Sequence, residues 1–186
     1  MPDYLKISEL PAASSVAPTD QIELNQAGTS RSATIGLSVG VYQTVSVQTG
    51  AVATGTTLIP QDDTIPQIGE GNEFMTLAVT PKSATSKLVV DVTWIGSSTA
   101  INNLTVALFQ DSTANALALG VATMAAGYST TVSFRHIMTS GTTSATTFRV
   151  RAGGNAASTL TMNGVTSARM YGGVMASSIV IQEVAA

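Results

Sequence analysis

From residue 41 onward apolar and polar side chains alternate with period two, the pattern of strands whose successive residues face opposite sides of a sheet. Val45 and Val47 alternate with Thr44, Ser46 and Gln48, and Met75, Leu77 and Val79 alternate with Thr76 and Ala78. Leu88, Val90, Val92 and Trp94 alternate with Asp91 and Thr93, and Leu104, Val106 and Leu108 set one face of a further strand. Val132, Phe134 and Met138 mark another, and Phe148 and Val150 alternate with Arg149 and Arg151. Between those last two strands, Thr139-Ser140-Gly141-Thr142-Thr143-Ser144 reads as a hairpin-like loop. The run 170–183 turns β-branched at Ser178-Ile179-Val180-Ile181 and is expected to lie centrally in a sheet.

Helical period is weak throughout. The best candidate is 114–126, where Gly120 and its β-branched neighbours disfavour a helix. Eight or more strands separated by turn signals predict an all-β fold, an antiparallel β-sandwich of jelly-roll type. Residues 1–40 read differently. They are rich in Pro, Ala and Ser and hold two short β-like pieces, 21–24 and 33–37, neither able to build a core alone. The expected organisation is an extended N-terminal arm, 1–40, followed by a β-sandwich knob, 41–186.

A hydrophobic content of 44%, a mean hydropathy of +0.29 and a net charge of only −3 exclude a disordered chain. Charged residues make up 10%, far below the roughly 25% of ordinary soluble domains, so the polar surface is built mainly from Ser and Thr. Eight scattered Lys and Arg and a pI near 4.9 leave no basic stripe for a phosphate backbone, and nucleic acid is not an expected partner. The absence of cysteine removes disulfides, thiolate metal sites and thiol nucleophiles together. No apolar run approaches the roughly 20 residues of a membrane helix, and the opening residues do not form a secretory leader. A soluble protein made inside a cell, without membrane insertion, is expected.

Candidate chemistry is sparse. His136 is the only histidine, and strand parity places it with Val132, Phe134 and Met138, towards a core or a subunit interface. No Gly-x-Ser-x-Gly elbow accompanies it, so a nucleophilic triad has no support. Asp62, Asp63, Glu70 and Glu73 gather within one stretch and are candidates for a hard cation or for the acid pair of a glycosidase, against the plainer reading of a solvated loop. Arg149 and Arg151 share a strand face, and Arg135 is placed across the hairpin from them. This trio, with Asn102, Asn103 and Asp111 in neighbouring loops, is the candidate contact for a glycan. The plainer reading is a charged outer face with ion pairs to Asp91, Asp111 or Glu183. Asn103-Leu104-Thr105 fits a glycosylation pattern that arises often by chance, and Gly69-Glu70-Gly71 and Gly172-Gly173 lack the rest of any phosphate-binding fingerprint. No enzymatic activity, metal or cofactor is expected.

Two stretches resemble small bacteriophage fibre and virion structural proteins. One is Leu5-Lys6-Ile7-Ser8-Glu9-Leu10-Pro11-Ala12-Ala13 with Asp20-Gln21-Ile22-Glu23-Leu24-Asn25-Gln26-Ala27-Gly28-Thr29-Ser30-Arg31. The other comprises residues 49–60, Asp62-Asp63-Thr64-Ile65-Pro66-Gln67, residues 108–117 and residues 140–148. The resemblance implies a virion component, a homotrimer whose arm docks on other virion proteins through Leu5, Ile7, Leu10, Ile22 and Leu24. Its jelly-roll knob would point outward, as a short tail fibre for host attachment or, alternatively, as a head fibre or capsid decoration protein. A depolymerising enzyme drawing on the acidic residues is the third reading.

Overall fold

The computed structural model describes residues Gln21–Gln26, Thr29–Thr34 and Gly40–Ala186. The chain divides into two units, Met1–Val39 and Gly40–Ala186. In the first, β1 (Gln21–Gln26) pairs antiparallel with β2 (Thr29–Thr34), Gln21 opposite Thr34 and Gln26 opposite Thr29. The second strand starts before the 33–37 piece, because its Thr-Ser-Arg-Ser opening has no apolar period to read. Of the residues expected to attach the arm, Ile22 and Leu24 lie on β1, and Leu5, Ile7 and Leu10 lie outside the described residues.

The second unit contains β3 (Val41–Thr49), β4 (Ala53–Gly55), β5 (Asn72–Val79), β6 (Lys87–Ser98), β7 (Asn102–Gln110) and β8 (Ala118–Met124). After them come β9 (Ser129–Thr139), β10 (Thr146–Gly154), β11 (Leu160–Met162), β12 (Gly164–Val165), β13 (Ala168–Arg169) and β14 (Ser177–Val184). One sheet runs β3-β14-β6-β9, and β6 exchanges β14 for β11 at Gly96–Ser98, with β4 beyond. The other runs β5-β10-β7-β8. All strand pairs are antiparallel. The path alternates between sheets, from β5 to β6 to β7, and again from β8 to β9 to β10 to β11. That crossing wraps the chain around its core and makes an antiparallel β-sandwich of jelly-roll type, as the alternation predicts.

The inward faces supply the core. Leu88, Val90, Val92 and Trp94 of β6 and Ile179 and Ile181 of β14 face Leu104, Val106 and Leu108 of β7 and Phe148 and Val150 of β10, all at most 1% exposed. Burial of each such side chain stabilises the fold by roughly 1.5–3 kcal/mol. Trp94 stands edge-on to Phe74, ring centroids 5.8 Å apart. Where β8 and β9 close the seam between sheets, a Cβ on Gly120 would lie 2.7 Å from a Val132 methyl. The glycine that disfavours a helix is therefore the residue that lets the sheets meet.

Two local expectations are corrected. The run 170–183 is strand only from Ser177; before it, Tyr171–Gly173 forms a 3-10 turn. β9 and β10 do not form a hairpin: they belong to different sheets, and the segment between them turns a corner, tied down by Ser140 N–H to Ser86 O and Gly141 N–H to Ala84 O.

Candidate functional site

Strand alternation also produces an outward face on the β3-β14-β6-β9 sheet, and its register fixes neighbours across four strands. One row reads Ser46, Val180, Asp91, Arg135; the next reads Thr44, Gln182, Val89, Ile137. Ile137 is 58% exposed on edge strand β9, and Tyr42 is exposed at the start of β3. Asp91 and Arg135 meet in a two-pronged ion pair, Nε to Oδ1 at 2.6 Å and Nη2 to Oδ2 at 2.9 Å. The pair cancels its own charge, which leaves Lys87 at the rim of a face otherwise built from Ser, Thr, Gln, aliphatic side chains and Tyr42.

The other sheet carries a separate charged cluster. Arg149 and Arg151 do share its outer face, with Glu73 beside both: Arg149 Nη1 lies 3.1 Å and Arg151 Nη1 3.7 Å from Glu73 Oε2. Arg151 also donates to the carbonyls of Glu70 and Gly71 at 2.9 and 2.7 Å, fastening the segment that crosses this sheet. Beneath that segment Ile59, Ala107 and Phe109 form a small second core. Arg135 is not part of the cluster, because the β9–β10 corner puts it on the opposite sheet. The expected arginine trio is thus two unrelated groups.

The remaining predicted contact residues are structural in this geometry. Asn102, 3% exposed, accepts from the N–H groups of Asn155 and Ala156 at 2.8 and 3.2 Å. It also donates to Ala156 O at 2.8 Å and Ser158 Oγ at 2.7 Å. Asn103 donates to Gln61 Oε1 and accepts from Thr123 Oγ1. Asp111, at φ 51°, accepts from Thr146 Oγ1 and Thr147 N–H, both at 2.7 Å, at the other end of the sandwich.

The acidic stretch disperses. Asp62 accepts from the Thr64 hydroxyl and N–H, which hold its carboxyl below the usual range. Glu70 accepts from Gln67 N–H and Glu73 binds the arginines. Among the described residues no three His, Asp or Glu side chains converge as they would around a metal. An open groove of about 410 Å³ runs between Asp62–Pro66 and Ala116–Leu119. His136 follows its predicted parity but is only partly covered, and burial pushes its imidazole below the usual range.

Two features escaped the sequence reading. Glu183 is wholly buried without a cation, accepting from Ser86 Oγ and Gln43 Nε2 at 2.6 Å and from the N–H groups of Lys82 and Ser83. The apolar outer face was also missed. Its signal was present in Leu88-Val89-Val90, Ile137-Met138 and Ile179-Val180-Ile181, where apolar residues occupy both parities.

Among solved structures, the chain is similar to Eiger TNF from S. frugiperda (9% identity, TM-score 0.43), with 76% of this chain and 93% of that chain covered. It is also similar to the infectious bursal disease virus Gt strain structure (12% identity, TM-score 0.41) and to that virus's VP2 subviral particle (12% identity, TM-score 0.31). These cover 95% and 96% of this chain, which spans 46% of either viral chain. At these scores the likenesses add nothing to the architecture described above. No curated protein matches the sequence.

The family model that matches is that of the Pgp3 C-terminal domain, over residues 56–186. It describes a Chlamydia virulence-plasmid protein and overturns the resemblance to bacteriophage fibres. With that resemblance fall the virion location, the tail-fibre, head-fibre and capsid-decoration readings, and the docking of Leu5, Ile7, Leu10, Ile22 and Leu24 on other virion proteins. Of the stretches that suggested phage, 49–55 and 140–144 are uncharged strand-and-turn sequence rich in Thr, Ser and Gly, a composition that carries no family signature. Because the match takes in more than two thirds of its residues, the chain belongs to the Pgp3 C-terminal domain family.

Proposed function

We propose that this chain is a non-enzymatic structural and binding module of the Pgp3 kind that works as a homotrimer, with the outer face of the β3-β14-β6-β9 sheet buried between copies. The observation that carries the reading is that face: Val89, Val180 and Ile137 lie at adjoining register positions beside a self-neutralised Asp91–Arg135 pair. Apolar surface of this kind, poor in net charge, is characteristic of subunit interfaces. A second exposed apolar pair, Leu119 and Val121, lies on β8 in the other sheet. Contact between two unlike patches is heterologous, and a heterologous contact that closes makes a cyclic assembly such as a trimer in place of a two-fold dimer.

Membership of a family named for a virulence-plasmid protein supports a binding role. So does the use of the carboxylates: Glu183, Asp111, Glu73 and Asp91 each hold the fold together through hydrogen bonds or ion pairs. Sedimentation velocity of the full chain at micromolar concentration is expected to give three times the 19.0 kDa chain mass. A monomer or a dimer across that range overturns the reading.

A further inference from the structure

The four most exposed large apolar side chains of the sandwich lie at one end of it. Ile101 (76% exposed) sits between β6 and β7, Tyr128 (72%) between β8 and β9, and Tyr171 (71%) and Val174 (83%) between β13 and β14. Backbone hydrogen bonds gather these connections: Gly127 N–H to Ser98 O, Thr99 N–H to Thr159 O, and Asn163 N–H to Ile95 O. A Cβ on Gly50 would collide with the Gly173 carbonyl, so the 3-10 turn bearing Tyr171 lies against the end of β3.

The charge pattern at this end is distinct. Segments 50–52, 99–101, 125–128, 155–159 and 170–176 contain no Asp or Glu; Asp62 and Asp63 follow Gln61, which bonds Asn103 on the flank of this end. Arg169, exposed at the end of β13, makes no ion pair among the described residues. Asp111 and the Lys82 turn belong to the opposite end, as does Gly40, whose carbonyl accepts from Ala185 N–H.

We infer that these loop tips dock on an anionic lipid surface. The apolar tips stand on separate loops, so a rigid protein partner would need a socket for each, whereas a headgroup layer deforms around them. Tyrosine suits such a boundary, with an apolar ring and a hydroxyl that stays wet. An anionic surface repels carboxylates, and loop tips without them, beside an arginine that has no ion pair among the described residues, are the complementary match in a chain of net charge −3. The presentation of Tyr171 is enforced by its backbone: its φ of 48° is a left-handed conformation that bulky residues adopt only when the surroundings impose it. The inference does not depend on the trimer.

The test is co-sedimentation of the full chain with vesicles of phosphatidylcholine alone and of phosphatidylcholine with one quarter phosphatidylglycerol. The chain pellets with the anionic vesicles, less so as salt rises, and only weakly with neutral ones. Ile101→Ser, Tyr128→Ser and Tyr171→Ser each lower the partition severalfold, and together by more than about tenfold. Ile65→Ser, exposed on the segment beside Ala116 and away from these loops, leaves partition unchanged. Circular dichroism confirms that each variant is folded. Failure of the wild type to pellet, equal pelleting with neutral vesicles, or full binding by a folded triple variant overturns the inference.

Discussion

Ser86 Oγ donates a 2.6 Å hydrogen bond to Glu183 Oε1 across 97 positions of sequence, and neither residue is more than 1% exposed. A carboxylate buried without a cation is stable only if enough donors surround it. Here the turn after β5 supplies two backbone N–H groups and the Ser86 hydroxyl, and β3 supplies Gln43. The arrangement ties the last strand to the β5–β6 turn and to the corner before β10, where Ser140 also bonds Ser83 O.

Glu183→Gln brings an amide N–H₂ against those donors. Chemical denaturation at neutral pH is expected to show a loss of about 1–3 kcal/mol. Burial raises the Glu183 pKa, but the hydrogen bonds from Ser86, Lys82, Gln43 and Ser83 outweigh it and hold the group below its ordinary 4.5. A depressed acid stabilises the fold above its unfolded pKa and loses that contribution as pH falls through the folded value. The gap between wild type and Glu183→Gln should therefore narrow below about pH 4.5. A gap that stays constant down to the acid unfolding transition contradicts this role.

Gly120→Val places a side chain where even a Cβ comes within 2.7 Å of Val132 and 3.1 Å of Phe134. The seam between β8 and β9 must open, and calorimetry should record a lower Tm, with a cost of about 1–3 kcal/mol.

Asn102→Ala removes four hydrogen bonds from the loop after β10. The expected loss is about 1–3 kcal/mol, with faster amide exchange at Asn155 and Ala156. Asn102→Asp keeps the acceptors and should preserve protection of those two amides.

Arg135→Glu sets two carboxylates face to face in the middle of the outer sheet face. If that face is an interface, oligomerisation weakens, and the exchanged pair Asp91→Arg with Arg135→Glu restores it. Native mass spectrometry of the three chains reads the outcome directly.

Legibility in the sequence followed the length of the alternation. β6 and β7 were readable because Leu88 to Trp94 and Leu104 to Leu108 hold their period long enough to exclude a helix. The central place of β14 was readable from Ile179-Val180-Ile181, three consecutive β-branched residues that put apolar side chains on both faces of the strand. Periodicity says nothing about partners, however, so β9 and β10 looked like a hairpin and Arg135 seemed to join Arg149 and Arg151. The hairpin of β12 and β13 gave no signal at all, since its turn places Thr166 and Ser167 at positive φ, where glycine or asparagine would announce it. Asn102 and Asp111 attracted notice as polar loop residues, but whether such groups bind a ligand or clamp their own backbone depends on contacts more than 30 positions away. The family lay beyond reach for a related reason: weakly charged, Thr-rich strand sequence specifies a sandwich without specifying whose.

The most direct test of the account is the solution mass of full-length Ile137→Glu with Val180→Glu, compared with wild type by sedimentation velocity, with circular dichroism as the check on folding. Both side chains lie on the outer sheet face and outside the core, so the variant should keep its β spectrum. Wild type should sediment as a trimer and the variant as a folded monomer. A wild type that never exceeds the monomer mass, or a variant that remains a trimer, contradicts this interface.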